Sequence, residues 1–181
     1  MLRFGYAILV GLVGAAIVHI AVLLLVPAYS AQDAWSTLSR DGDLFELVRL
    51  PGGSPRSRGG RAPDPFIAAA ACRFDLAGDG GARLSASAPA LFWSVSVYNR
   101  RGHNVYNLND RSASDGALDI ALVSPARMLE LRKGLPEDMD GATIIEVEDD
   151  LGIIVVRTFR PDPTFVPVIE AFFESARCEP R

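Results

Sequence analysis

The chain has 181 residues, of which 49% are hydrophobic and 22% charged, and its net charge at pH 7 is −4. This length fits one domain of ordinary size with an appendage, and the sequence contains no internal repeats. Its acidic balance disfavours nucleic acid as a partner and gives no electrostatic attraction to acidic lipid head groups.

The first predicted element is an apolar segment over residues 4–26, which carries no charge and one strongly polar side chain, His19. A helix of this segment, at about 1.5 Å per residue, is roughly 34 Å long and crosses the hydrocarbon core of a bilayer. A cleaved signal peptide is the alternative, because small residues at 28–31 suit a signal peptidase. The apolar run exceeds the roughly 7–15 residues usual in such signals. We therefore predict an uncleaved anchor over residues 1–30, in contact with lipid through residues 4–26.

Charge around this segment predicts its orientation. The N-terminus and Arg3 are the only early cations, and the next one is Arg40. The part after the apolar segment holds 17 lysine and arginine residues against 22 acidic ones. By the positive-inside rule, the N-terminus is expected in the cytoplasm and the rest of the chain outside it.

Two cysteines, Cys72 and Cys178, both follow the apolar segment. In an oxidising compartment such a pair more commonly forms a disulfide than two free thiols, and no nearby histidine or second cysteine gives a metal-binding spacing. We predict that they are bonded. In the entropic model, closing a loop of about 105 residues stabilises the fold by roughly 4–5 kcal/mol.

The segment 31–65 is predicted to join the anchor to the main domain. Apolar residues at helical spacing between 34 and 38 indicate a short membrane-proximal helix, and residues 44–50 a strand or short helix. Residues 51–65, PGGSPRSRGGRAPDP, are too rich in proline, glycine and serine to form a core and are predicted to be a loop.

The domain over residues 66–181 is predicted to consist mainly of antiparallel strands. Alternation over 72–76 and 83–88 around GDGG predicts a first hairpin, and alternation over 91–98 and 103–108 around a type I turn predicts a second. A strand follows at 117–124. A third hairpin is predicted around DDLG, with its second strand, 152–160, central because it is almost continuously hydrophobic.

Two helices are predicted to cover these strands. Ser124 and Pro125 form an N-cap and first helical position, and Gly134 ends that helix. A C-terminal helix lies within 164–178, with Pro167 in its first turn. The predicted fold class is α+β: an N-terminal transmembrane helix, then a mainly antiparallel, sandwich-like β domain with two covering helices.

No strong catalytic or cofactor-binding motif is present, and no cofactor is predicted. The two histidines, His19 and His103, are too few for a histidine-rich metal site, so no metal is predicted. The densest polar and aromatic stretch is FWSVSVYNRRGHNVYNLND over residues 92–110. Candidate ligand-binding residues there and just after it are Tyr98, Arg101, His103, Tyr106, Asn109 and Arg111.

Two interpretations of this stretch remain open. In the functional one, tyrosine, histidine and asparagine side chains line a shallow pocket, and Arg101 or Arg111 holds an anionic ligand. In the structural one, Trp93 belongs to the core, the tyrosines form cross-strand pairs, and Asn109 with Asp110 starts a turn.

The exported part also resembles the bacterial domain-of-unknown-function family twelve fifty-four (DUF1254) in its short membrane-anchored form. The similarity lies in DPFIAAAACRFDL, FWSVSVYNRRGHNVYNLNDR, LDIALVSPARMLELRKGLP, IIEVE and the terminal ARC, and covers about two thirds of the chain. It implies a β-rich envelope protein, often encoded beside or fused to a second family of unknown function. It gives no catalytic residues to transfer.

The sequence therefore predicts a single-pass protein of the bacterial inner membrane, with a cytoplasmic N-terminus and a periplasmic C-terminal domain. Its expected function is to bind a partner, such as the sister envelope domain, or a small envelope ligand. The alternative is an envelope enzyme, a hydrolase or lyase acting on a carbohydrate or ester through His103, Asp110 or a tyrosine.

Overall fold

The computed structural model describes residues 2–50, 64–77, 80–87, 92–113, 116–136 and 139–181, with the backbone alone at residue 2 and at 27–33. The helices are α1 (Leu2–Asp41), α2 (Pro125–Leu131) and α3 (Val166–Ser175), and a 3-10 turn at Pro163–Phe165 leads into α3. The strands are β1 (Leu47–Leu50), β2 (Ile67–Asp75), β3 (Gly81–Ala86), β4 (Trp93–Asn99), β5 (Asn104–Asn109), β6 (Leu118–Val123), β7 (Thr143–Glu146), β8 (Leu151–Phe159) and β9 (Arg177–Pro180).

The strands form two sheets that share one core. The five-stranded sheet has the order β1-β2-β8-β4-β5 and the four-stranded sheet the order β7-β6-β3-β9. The pairings are antiparallel except for β6 with β7. Apolar side chains from both sheets and from α3 meet between them, as alternation along each strand requires. The predicted α+β, sandwich-like fold is confirmed.

Helix α1 is continuous through the predicted boundary at residue 30. Its first part, Arg3–Val26, is long and apolar enough to cross a membrane and has no residue buried against the protein. Its last turns pack on the five-stranded sheet through Trp35 and Leu38. The predicted short membrane-proximal helix is therefore the end of α1, which carries the apolar segment directly into the domain.

The predicted disulfide between Cys72 and Cys178 is confirmed. It joins β2 of the five-stranded sheet to β9 of the four-stranded sheet, with 6.5 Å between the two Cα atoms. Cys72 is fully buried in the shared core and Cys178 nearly so. The bond thus fastens the two sheets to each other across the core.

Two of the three predicted hairpins are wrong. Strand β2 pairs with β1 and β8, whereas β3 pairs with β6 and β9 in the other sheet. Strand β7 likewise lies beside β6, in the sheet opposite β8. Alternation along the chain identifies strands, but tertiary packing decides which strands pair, and both connections cross between sheets.

The middle hairpin, β4 with β5, is confirmed, and its Gly102 has the positive φ of 79° that the turn requires. Strand β8 is central, as predicted, and lies in the middle of the five-stranded sheet. Strand β9 was not predicted. Of the predicted loop 51–65, residues 51–63 lie outside the described residues.

Both covering helices begin as predicted. The Ser124 hydroxyl caps α2 by accepting a hydrogen bond from the Arg127 backbone N–H at 3.3 Å. Pro167 lies in the first turn of α3, where a missing N–H costs nothing. Helix α3 buries Ile169, Phe172 and Phe173 against the shared core.

Candidate functional site

The outer face of the five-stranded sheet, which points away from the four-stranded sheet, has two different halves. Over β1, β2 and one end of β8 it is apolar, with Ala69, Ala71, Ile153 and Val155 under Leu38 of α1. We call this the covered half. Over β4 and β5 the outward residues are polar apart from the exposed Val105, because alternation turns the other apolar residues of these strands into the core.

We call the open, polar half of this face the polar patch. It consists of Ser94, Ser96 and Tyr98 from β4, Asn104 and Asn107 from β5, and Arg157 from β8. Strand register brings these residues together. Ser94 pairs with Arg157, Ser96 with Asn107, and Tyr98 with Asn104.

The centre of the polar patch is a small hydrogen-bonded network. Arg157 Nη1 donates to Ser96 Oγ at 3.2 Å, and Ser96 is buried beneath it. The Tyr98 hydroxyl interacts with the side chains of Arg157, Ser96 and Asn104, while its ring packs on the edge of the covered half. Tyr98 therefore marks the boundary between the two halves.

The network changes the acidity of Tyr98. Burial alone would raise the pKa of the phenol, but the hydrogen bond and positive charge of Arg157 act in the opposite direction, helped by Ser96 and Asn104. The net pKa of Tyr98 is lowered from its ordinary value of 10.0. A cation that stabilises the phenolate also favours any hydroxyl or anion that accepts a hydrogen bond at the same place.

Two asparagines form the outer rim of the polar patch. Asn104 Nδ2 donates to Asn107 Oδ1 at 2.9 Å, and Asn107 Nδ2 donates back to Asn104 Oδ1 at 2.8 Å. Both side chains are exposed. Among the described residues no carboxylate forms an ion pair with Arg157. The patch thus offers amides, hydroxyls and one uncompensated guanidinium, a set that suits polar or anionic groups.

The residues predicted around the β4–β5 turn do not converge on one pocket. Tyr98 belongs to the polar patch, but Tyr106 lies on the opposite face of the sheet and packs against the shared core. Arg101 lies at the turn, where its guanidinium is 3.3 Å from Asp149. His103 is exposed, and its backbone N–H donates to Asn99 Oδ1 at 2.9 Å.

Asn109 pairs with Ser94, at the end of the polar patch away from the β4–β5 turn, and Arg111 follows in the loop after β5. Asn109 Oδ1 accepts hydrogen bonds from the backbone N–H groups of Arg111 and Ser112, both at 3.1 Å. Asn109 therefore holds a turn, and the Arg111 side chain is exposed. Trp93 is buried in the core, and its Nε1 donates to the Gly116 carbonyl at 3.0 Å. Ligand binding by the six predicted residues stays a prediction.

Five residues of the polar patch are not among the candidates predicted from the sequence, namely Ser94, Ser96, Asn104, Asn107 and Arg157. A signal for them does exist, since Ser94, Ser96 and Tyr98 alternate with core residues along β4, and Arg157 is the one charged residue within β8. Alternation could not show that β4 and β8 lie side by side, because more than fifty residues separate the two strands in the sequence.

A groove lies between β1 and α3. This groove has a volume of about 430 Å³, and the disulfide residue Cys178 is part of its wall. Arg49 lies 3.8 Å above the centre of the Phe173 ring and pairs with Glu170 at 2.7 Å. Burial lowers the pKa of Arg49, and the Glu170 carboxylate opposes that shift. Because its main cation is already paired, the groove is a weaker candidate than the polar patch for an anionic ligand.

Metal binding finds no support within the ranges that the structure describes. No three histidine, cysteine, aspartate or glutamate side chains there lie close enough together to hold a metal ion.

No protein-family model matches the chain, and no curated protein matches it. The fold is similar to the crystal structure of the VPA0106 protein from Vibrio parahaemolyticus, with a TM-score of 0.57 and 9% identity over 84% of this chain. A crystal structure of an uncharacterized protein from Burkholderia cenocepacia has a TM-score of 0.49 and 17% identity over 82% of this chain. The chain spans 36% of the first structure and 37% of the second.

Proposed function

We propose that this protein is a single-pass protein of the bacterial inner membrane whose periplasmic domain binds a partner protein through the polar patch. The favoured partner class is a second envelope domain, as in the DUF1254 resemblance. The observation that carries the proposal is the uneven outer face. Helix α1 covers its apolar half, and the half beside the helix presents Arg157 without a described carboxylate partner.

Two features of the chain support this compartment. An apolar helix of 24 residues, none of them buried, is long enough to span a bilayer, and its only charged residue is Arg3 at its start. The Cys72–Cys178 disulfide is typical of proteins that fold in an oxidising compartment. Together they favour a cytoplasmic N-terminus and a periplasmic domain.

The tether adds a physical reason for binding at this face. Trp35 lies nine residues beyond Val26, which is about 13 Å of helix, and its ring lies under the guanidinium of Arg73 at 5.2 Å. The sheet is therefore held at a short, fixed distance from the membrane end of α1. A partner that binds the patch therefore does not have to order a long linker, which would cost conformational entropy.

The orientation is tested with reporter fusions to the C-terminus. We expect alkaline phosphatase fused after Arg181 to be active, because that enzyme requires an oxidising compartment, and a cytoplasm-dependent fluorescent fusion to be dark. The opposite pattern would remove the periplasmic assignment and with it the proposed class of partner.

The binding surface is tested by photo-crosslinking of the full chain in its own membranes. A benzophenone amino acid replaces Asn104 in the polar patch or, as the control, the exposed Leu129 on α2. We expect a discrete crosslinked product from position 104, identified by mass spectrometry as one envelope protein and absent from position 129. Arg157→Ala should reduce this product at least fivefold. No product from position 104, or equal products from both positions, would contradict the proposal.

An enzyme acting on an envelope carbohydrate or ester is the second candidate. One observation favours it, namely the lowered pKa of Tyr98 next to Arg157, since such a pair suits proton transfer. A panel of chromogenic esters and glycosides, incubated with the full chain in detergent, tests this candidate. Product release that is lost in Tyr98→Phe would support it. No release above that of the variant would exclude it for these substrates.

A further inference from the structure

Helix α1 gives the domain a defined side toward its apolar segment. The first turn of α1 that packs on the sheet places Trp35 beside Arg100, which directly follows β4, with the guanidinium 5.9 Å from the ring centre. Seven residues later, just after the helix ends, Gly42 lies against Val48 of β1. In the sheet order β1-β2-β8-β4-β5, the helix thus runs from the β4 side to the β1 side as it leaves the apolar segment. The β4–β5 turn therefore lies on the side of the domain that faces the apolar segment.

In the proposed topology this turn is close to the lipid head groups. The apolar segment, Arg3–Val26, is about 36 Å of helix, against roughly 30 Å of hydrocarbon core, and the head groups add roughly 5–8 Å on each side. Trp35 lies about 13 Å of helix beyond Val26, so roughly 5–8 Å separate it from the head-group layer. Any tilt of the long apolar helix shortens this gap. A long side chain beside Trp35, such as that of Arg100, spans the gap and keeps its charge in the polar layer.

The surface around this turn carries both signs of charge. Arg100 is exposed, and among the described residues it forms no ion pair. Its backbone N–H donates to the Leu151 carbonyl, which places the acidic segment 148–150 next to the turn. Within that segment Asp149 is 3.3 Å from Arg101, and the two acidic residues on either side of it are exposed. A free guanidinium beside exposed carboxylates matches a head group that contains both a phosphate and an ammonium group, whereas an acidic head group would be repelled by the carboxylates.

We infer that the β4–β5 turn binds a zwitterionic phospholipid at the membrane surface, with the phosphate on Arg100 and the ammonium group beside the carboxylates of 148–150. The inference rests on the proposed function, because α1 has to span the membrane, and it adds a second contact between the domain and the bilayer. A tryptophan and an arginine just beyond an apolar helix are typical of membrane–water interfaces. The net charge of −4 agrees with this choice of lipid, since the site needs no acidic head group. The turn then serves as a second support that fixes the tilt of α1.

The experiment uses the purified full chain in nanodiscs of phosphatidylethanolamine and phosphatidylcholine. A benzophenone amino acid replaces His103 in the turn or, as the control, the exposed Leu129 on α2, and mass spectrometry measures the lipid adducts after illumination. We expect at least five times more adduct from position 103 than from position 129. In nanodiscs of phosphatidylglycerol the yield from position 103 should fall at least twofold. An equal or higher yield there would overturn the assignment of a zwitterionic head group.

Substitutions at Arg100 separate its charge from its packing on Trp35. Arg100→Gln should reduce the adduct from position 103 at least threefold. Arg100→Lys should keep at least half of it, because an ammonium group also binds phosphate. The matched control is Arg132→Gln, at the exposed end of α2, which should leave the yield unchanged. A full yield with Arg100→Gln, or equal losses with Gln and Lys, would show that Arg100 does not hold the phosphate.

A benzophenone at Leu12, inside the apolar segment, reports on the span itself. Lipid adducts from position 12 without adducts from position 103 would overturn this inference and leave the proposed anchor in place. If position 12 gives no adduct either, α1 does not span the bilayer and the proposed function itself fails. Folding is checked in each variant by formation of the Cys72–Cys178 disulfide and by an unchanged thermal midpoint.

Discussion

The two halves of the outer sheet face belong to the same sheet and differ in what covers them. Under α1 the residues are small or branched apolar ones, such as Ala71 and Val155, and they exclude water together with Leu38. Beside α1 the residues are Ser96, Tyr98 and Arg157, which hydrogen-bond to one another, and Tyr98 and Arg157 remain in part accessible. The composition of each half therefore matches what contacts it, since the apolar half lies under the chain's own helix and the polar half does not.

The covered half also shows how the apolar segment of α1 is joined to the domain. A helix that ended with its apolar segment at Val26 would leave this half of the sheet uncovered by α1. Here the helix continues and buries Leu38 on the sheet, so α1 and the domain share one packed cluster. The polar patch is thereby fixed relative to the helix axis, which a flexible linker would not achieve.

Truncation of the covering side chain is expected to have the largest effect. Leu38→Ala removes a fully buried side chain from the covered half and should lower the free energy of unfolding by about 2–5 kcal/mol. Chemical denaturation of the full chain in detergent measures the loss. Leu129→Ala, on the exposed side of α2, should change stability by less than about 0.5 kcal/mol. Equal effects of the two variants would show that α1 does not pack on the sheet.

A smaller gain in stability is expected beneath the polar patch. Thr158, next to Arg157 on β8, is buried on the core side, and its hydroxyl finds no hydrogen-bond partner among the described residues. Thr158→Val keeps the shape and removes an unsatisfied polar group, so it should raise the free energy of unfolding by about 1 kcal/mol. The denaturation midpoint measures the change. A loss of stability would mean that the hydroxyl is hydrogen-bonded in solution.

The smallest effect concerns the titration of Tyr98. Its pKa lies below the ordinary value of 10.0, although burial opposes the shift, because of the hydrogen bond and charge of Arg157. Arg157→Met should therefore raise the pKa of Tyr98, as followed by NMR of ring-labelled tyrosine with Tyr98→Phe for assignment. An unchanged pKa would show that the two side chains do not interact.

The sign of the linked stability follows from the same shift. A phenol with a lowered pKa in the folded state adds stability above its unfolded pKa, and that stability is lost as the pH falls through the folded pKa. Arg157→Met should therefore reduce the stability that is gained at alkaline pH, which chemical denaturation of the parent chain and the variant over a series of alkaline pH values measures.

Local patterns in the sequence determined much of this molecule. Apolar length predicted the first helix, the pair of cysteines predicted the disulfide, and alternation predicted the β4–β5 hairpin with its glycine turn. The Ser124 cap and the central position of β8 were also predicted correctly. A cap depends only on nearby residues, and a strand buried on both faces is recognised by its near-continuous hydrophobicity.

Only the tertiary structure decided which strands are neighbours, and with that the site. Strands β2 and β3 read as a hairpin and belong to different sheets, whereas β4 and β8 are far apart in sequence and lie side by side. Alternation fixes which face a side chain occupies, but pairing energies between strands are similar for many partners. The choice among them is made by the shared core, and the polar patch exists only once that choice is made.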